Sequence, residues 1–252
     1  MTTESVTTEF HRATSVGIAS IARGEHNYLD ADVLDELAGA LDRLAAEGAR
    51  AVVLRSGARN FCAGVDVAGG GPAGGRHLYD VVPRLFALPV PVVAAIDGAV
   101  VGGGLGLALA CDFRITAARS RFAGNFARLG FSQGFALTLT LPRLVGGQRA
   151  AELLYTGRWL DGPEAVGIGL CDGLSSTDVV EEAYGLASDV ARSAPLAVEA
   201  IRSTLRRPLT SAAVQEALAA ERHTQERLMR TSDFREGVRA LRERREPVFS
   251  GQ

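Results

Sequence analysis

The sequence predicts an α/β core followed by a helical region, and three observations carry that fold class. Short apolar, β-branched runs alternate with helical stripes through the first 175 residues or so. From about Thr177 to residue 246 the pattern is almost continuously helical, interrupted at Pro195 and Pro208. No strand is predicted in that last third, and the chain carries no internal repeat or low-complexity segment. The division is placed at residue 175, with 1–175 as the α/β core and 176–252 as the helical C-terminal part.

The elements follow in order. Residues 14–22, TSVGIASIA, alternate as a strand does, and residues 23–27 form a loop. Asp30 stands where a helix N-cap belongs, ahead of an apolar stripe at Val33, Leu34, Leu37, Leu41 and Leu44. Gly48 ends that helix, and Ala51–Leu54 is a short buried strand. Arg55–Gly75 is loop-like and rich in glycine. Residues 76–88 predict a helix with Leu78, Val81, Val82, Leu85 and Phe86 inward, its start restricted by Pro83. A strand at Val92–Ile96, a turn at Asp97-Gly98, a buried helix at Leu105–Ala110 and a strand at Phe113–Thr116 come next. Residues 121–134 read as irregular, and Ala136–Leu144 and Gln148–Leu154 as helices. Asp161–Ala165 is a short helix leading into a strand at Gly169-Leu170.

Composition narrows the function classes. The chain has 252 residues, 47% hydrophobic, enough for a substantial core. A net charge of −2 argues against nucleic acid as a partner. No apolar run reaches the roughly 18 residues of a membrane span, and the first twelve residues lack a signal-peptide hydrophobic region. The three cysteines, Cys62, Cys111 and Cys171, are widely spaced and suit a reducing, cytoplasmic setting. Neither they nor the four scattered histidines have metal-ligand spacing, so no metal is expected. All 27 basic residues are arginine, which excludes a lysine Schiff base or a P-loop lysine.

The chemistry centres on two glycine-bearing loops. One is Asn60–Asp66, NFCAGVD, after the strand ending at Leu54. The other is Asp97–Gly104, DGAVVGGG, after the strand ending at Ile96. Glycine runs let a backbone approach a ligand closely. A helix that starts there points free N–H groups and its positive dipole end at whatever sits in front of it. If the two strands are neighbours, both loops leave the same sheet edge, and one N–H from each could converge on one oxygen as an oxyanion hole.

At these residues the chain resembles the enoyl-CoA hydratase/isomerase (crotonase) superfamily. The matching stretches are FCAGVD, PVVAAIDGAVVGGGLGLALACDFRIT, LPRLVGGQRAAELLYTGR and the tail DFREGVRALRERREPVF, in family order and spacing. The resemblance implies a crotonase-type spiral of repeated ββα units, followed by a helical C-terminal trimerisation region, with homotrimers often paired into hexamers. It implies an acyl-CoA thioester as ligand, coenzyme A entering as part of the substrate with no separate cofactor. It places the oxyanion N–H donors at Val65 and Gly103. Asp66 then braces its loop, Ala63 lines the channel for pantetheine and adenine, and Arg23 or His26 is offered to the CoA phosphates.

The departures matter as much as the matches. Hydratases carry a glutamate two positions after the glycine triplet, and here that position is Gly106. The second glutamate falls four residues after Phe122, at Phe126. Some isomerases and dehalogenases place a carboxylate four residues after the glycine of the Leu129-Gly130 pair, and here that is Gly134. Hydration needs a base for water and an acid for the α-carbon, and each lost role costs about 10²–10⁴-fold. The sequence therefore predicts a divergent family member that binds and polarises an acyl-CoA but does not hydrate crotonyl-CoA. The alternative is a non-catalytic acyl-CoA binding protein. His77, Tyr79, Asn125, Ser132 and Gln133 are the polar residues offered as replacements, with Phe126 filling the old glutamate pocket and Gly106 making room for a bulkier acyl group. Glutamates placed at 106 and 126 together are expected to introduce hydratase activity.

Overall fold

The computed structural model describes residues 5–69 and 77–252; the stretch 70–76, read above as loop and helix start, lies outside them. Its frame is a six-stranded sheet. In spatial order the strands are β1 (Val6–His11), β2 (Val16–Ile21), β3 (Ala51–Ser56), β4 (Val92–Ile96), β6 (Phe113–Ala117) and β9 (Gly173–Ser175). β1 pairs antiparallel with β2, and every later pair is parallel. A second sheet of three short strands joins β5 (Ala99–Val101), β7 (Arg121–Ala123) and β8 (Trp159–Asp161).

Parallel strands are covered on both faces, which is why β4 reads as an unbroken apolar run, Val-Val-Ala-Ala-Ile, all buried. One face packs against α1 (Ala31–Ala46), and its core also takes in α3 (Gly103–Ala110). The predicted stripe of α1 is buried, and the Asp30 carboxylate accepts the Val33 N–H at 3.0 Å as its cap. The opposite face packs against α7 (Val179–Ala191), whose Val179, Ala183, Ala187 and Ala191 recur every fourth residue. Although α7 lies beyond residue 175, it completes the sheet core.

The remaining helices are α2 (Val82–Phe86), α4 (Leu137–Val145), α5 (Gly147–Thr156), α6 (Gly162–Gly167), α8 (Pro195–Leu205), α9 (Ser211–Leu228) and α10 (Ser232–Glu243). Three local expectations are corrected. The helix expected over 76–88 is a 3₁₀ turn at Leu78–Asp80 followed by the short α2, with Pro83 in the first turn of α2. The segment 121–134 is not wholly irregular, since it holds β7 and a 3₁₀ turn at Ala127–Leu129. Gly169-Leu170 is not a strand: Gly169 has φ +81°, and the Leu170 N–H closes back on the Ala165 carbonyl, so the sheet strand begins at Gly173.

Candidate active site

The site is built where two neighbouring strands end. β3 and β4 pair in parallel, with Val52 opposite Val92 and Arg55 opposite Ala95, so the loops that follow them leave the same edge of the sheet. Ligands of open α/β sheets gather at that edge. A short parallel bridge between Cys62 and Val100 locks the loops together, with Cys62 N donating to Ala99 O and Val101 N to Cys62 O. Gly104 has to be glycine at this crossing, because a Cβ there would lie 2.1 Å from the Cys62 carbonyl oxygen. Gly64, at φ +81°, is equally constrained: its Cβ would meet Val101 O at 2.6 Å and the Gly103 nitrogen at 3.1 Å.

This crossing brings the two sequence-predicted donors side by side. Val65 follows Gly64 directly, and Gly103 opens α3. Neither N–H donates to a backbone carbonyl among the described residues; on either side of them Ala63 N is bonded to His26 O, Gly102 N to Ala123 O and Gly106 N to Gly102 O. Two unspent N–H groups, one at the positive end of a helix, are suited to an oxygen that gains negative charge.

The surroundings are aromatic. The Phe126 ring lies 3.8 Å from where a Cβ on Gly102 would be, beside the Asn125 amide oxygen at the same distance. The Phe135 ring comes within 3.9 Å of the corresponding point on Gly103, and its Cβ lies 2.4 Å from that on Gly106. Gly106 therefore does not widen the pocket; Phe135 takes the room. Phe126 continues edge-to-face onto Phe131, and Phe131 onto Phe234 of α10. A cavity of about 410 Å³ is lined by Phe126 together with Phe131, Ser132, Gln133, Thr138 and Tyr155.

Phe135 and Ala136 both sit in the left-handed region, at φ +61° and +59°. That conformation costs a side-chain-bearing residue about 1–2 kcal/mol and persists only where surrounding contacts hold it. Helix α9 supplies them. The buried Glu221 carboxylate accepts the N–H groups of Ala136 and Thr138 at 2.8 and 3.0 Å and the Thr138 hydroxyl at 2.6 Å. Gln225 donates to Ser132 O and accepts from the Tyr79 hydroxyl, each at 2.8 Å. That hydroxyl occupies the space beside Gly134, 1.6 Å from where a Cβ would stand. Burial pushes the Tyr79 phenol up, with the Glu221 charge adding to it, and burial likewise raises Glu221.

Of the other candidates, Ser132 has a buried hydroxyl with no hydrogen-bond partner among the described residues, while Arg23, His26, Asp66, Gln133 and His77 have structural partners. The Arg23 guanidinium pairs with Asp30, and Asn60 donates to His26 Nδ1 at 2.9 Å. Asp66 accepts the Gly69 N–H at 2.7 Å, closing its own turn. Gln133 donates to the Thr138 hydroxyl at 3.0 Å. His77 caps the 3₁₀ turn through Nδ1, which accepts the Tyr79 N–H, and burial lowers its pKa. Burial raises the Cys62 thiol to about 12, so it stays protonated beside the crossing.

Sequence reasoning missed Asn27 as a site residue. Fully buried at φ +49°, its Oδ1 accepts the Arg23 N–H at 2.7 Å, and its Nδ2 lies within reach of Ile21 O, Ser56 Oγ, Asn60 O and Phe61 O. It ties the 23–28 loop to the loop carrying Val65. A lone asparagine in a polar loop gives no periodic signal. Glu221 and Gln225 were missed too, lying four apart on one face of a distant helix.

The sequence pattern of the enoyl-CoA hydratase/isomerase family matches residues 12–252, and the chain belongs to that family. It is 34% identical over 215 residues to an enoyl-CoA isomerase/hydratase of Mycosarcoma maydis, covering 81% of this chain and 77% of that one. It is 33% identical over 246 residues to the mitochondrial methylglutaconyl-CoA hydratase of Mus musculus, covering 90% and 76%. An enoyl-CoA hydratase/isomerase structure from Pseudoalteromonas atlantica superposes with a TM-score of 0.87 at 28% identity, covering 98% of this chain and all of that one. The fold is the crotonase fold, with a helical C-terminal region. No helix among the described residues is long and apolar enough to cross a membrane.

Proposed function

We propose that this chain binds an acyl-CoA thioester, polarises its carbonyl between the Val65 and Gly103 N–H groups, and acts on it by a reaction other than hydration. The carrying observation is the apposition of Gly64 and Gly103, which sets two uncommitted N–H groups together at the start of α3. Negative charge that develops on the thioester oxygen as an enolate forms is held there, and one such donor is worth about 10²–10³ in kcat. Gly106, Phe126 and Gly134 have no titratable side-chain group, so the acid and base of ordinary hydration are missing. Isomerisation, decarboxylation, retro-Claisen cleavage and hydrolysis are the reaction types that remain. Coenzyme A enters with the substrate, and no metal is invoked. Ala63 belongs to the pantetheine channel in this reading, with Arg23 or His26 toward the CoA phosphates.

We also propose that the protein is cytoplasmic and a trimer or hexamer. Leu218 is buried in its own chain, and Phe234 packs on Phe131. The exposed apolar residues Leu196, Ile201 and Leu205 of α8 are the better candidates for a subunit contact.

The second reading, a non-catalytic acyl-CoA binder, is favoured by the absence of a carboxylate at all three positions. A turnover screen over a panel of CoA thioesters, with mass detection of products and calorimetry on the same samples, decides between them. Micromolar binding, about −8 kcal/mol, with turnover supports the enzyme. Binding without turnover supports the binder, and no binding of any thioester overturns both.

A further inference from the structure

We infer that Phe126 and Phe135 make this a site for short acyl groups, a reading that rests on the oxyanion assignment above. The two rings flank the glycine triplet on different sides, one 3.8 Å from the Cβ direction of Gly102, the other 3.9 Å from that of Gly103. Phe135 also fills the space over Gly106, the next turn of α3, so an acyl chain cannot run along that helix. Both rings are nearly inaccessible, at 5% and 1% exposure. Phe135 has little freedom to retreat. Its turn is held by Glu221 through Ala136 and Thr138 and by Gln225 through Ser132. Space for a longer chain does exist, in the cavity of about 410 Å³ walled by Phe126 and Phe131, and the same Phe126 ring approaches the triplet, 3.8 Å from the Cβ direction of Gly102. Phe126 is thus the residue that sets the length limit.

The test is calorimetric binding of butyryl-CoA, octanoyl-CoA and dodecanoyl-CoA to the full chain and to Phe126→Ala and Phe135→Leu. The unmodified protein is expected to bind butyryl-CoA at least tenfold more tightly than octanoyl-CoA. Phe126→Ala should reverse that order by opening the way to the cavity, each added methylene then being buried. Phe135→Leu, which keeps an apolar side chain of moderate size, should narrow the ratio without reversing it. Thermal unfolding of each variant checks that it folds. Octanoyl-CoA bound as tightly as butyryl-CoA by the unmodified protein overturns the inference whatever the variants do. A chain-length order unchanged in a folded Phe126→Ala overturns it as well. Failure of the unmodified protein to bind any of the three thioesters instead overturns the oxyanion assignment beneath it.

Discussion

Phe135 fills the space that a side chain on Gly106 would need: a methyl group there would lie 2.4 Å from the Phe135 Cβ and 2.6 Å from its ring. Gly106 and Phe135 are therefore a matched pair, and the small residue is the room for the large one. A glutamate at 106 requires a change at 135.

That pairing revises what glutamates at 106 and 126 should do. Gly106→Glu with Phe126→Glu is expected to remain inactive toward crotonyl-CoA, because Phe135 blocks the first of them. Gly106→Glu alone should lower stability by about 1–3 kcal/mol through overpacking. Adding Phe135→Gly, which removes the ring and accepts φ +61° freely, should raise hydration above the double variant. Hydration assays with thermal unfolding check the order. Activity in the double variant with Phe135 intact would contradict the steric argument.

Gly64→Ala tests the crossing of the two loops. The added methyl meets Val101 O at 2.6 Å on a backbone already at φ +81°. It must push the Val65 loop away from Gly103. Thioester binding should weaken at least tenfold, about 1.4 kcal/mol, and the left-handed position alone should cost about 1–2 kcal/mol of stability. Calorimetry and chemical denaturation measure both. Unchanged affinity in the folded variant would show that the crossing does not hold the site.

Asn27→Ala should cost about 3 kcal/mol or more in chemical denaturation. It strands several buried backbone groups at about 1–3 kcal/mol each and puts alanine at a left-handed position. A loss below about 1 kcal/mol would mean that water replaces the amide.

Glu221 gives a pH signature with a definite sign. Burial raises its folded pKa above the ordinary 4.5. A raised carboxylate contributes stability that is fully present below the unfolded pKa and is lost as pH climbs through the folded value. Relative to Glu221→Gln, the unmodified protein should therefore lose stability as pH rises from below 4.5 upward. Denaturation of both proteins between pH 4 and 8 reads this difference. A gap that stays flat, or that grows in favour of Glu221 with rising pH, would contradict it.

Much of the frame was legible because it is periodic. The Leu34–Leu37–Leu41–Leu44 stripe specifies a helix and its buried face, while Val16–Ile21 and the unbroken run of β4 each specify a strand, both of them buried at every position. The short strands β5, β7 and β8 were not legible, since three residues carry no period. The two loops were visible through their glycines, but their crossing depends on the β3–β4 pairing, which only the sheet establishes. Phe135 escaped notice for a different reason. A Phe-Ala pair ahead of a helix gives no hint of left-handed backbone, and the strain is held by Glu221, 86 positions after Phe135. The space at Gly106 is taken by Phe135 and that at Gly134 by the Tyr79 hydroxyl, residues not adjacent in sequence, and so Gly106 was read as making room.

The most direct measurement is the infrared spectrum of carbonyl-labelled crotonyl-CoA mixed with the unmodified protein. Two N–H donors on one thioester oxygen weaken its C=O bond. The prediction is a bound carbonyl band at lower frequency than in free crotonyl-CoA, with the enoyl double bond persisting over hours. A bound carbonyl band at the free frequency would contradict the oxyanion pair at Val65 and Gly103. Loss of the double bond at rates typical of enzymes, about 1–10³ s⁻¹, would contradict the claim that hydration has been given up.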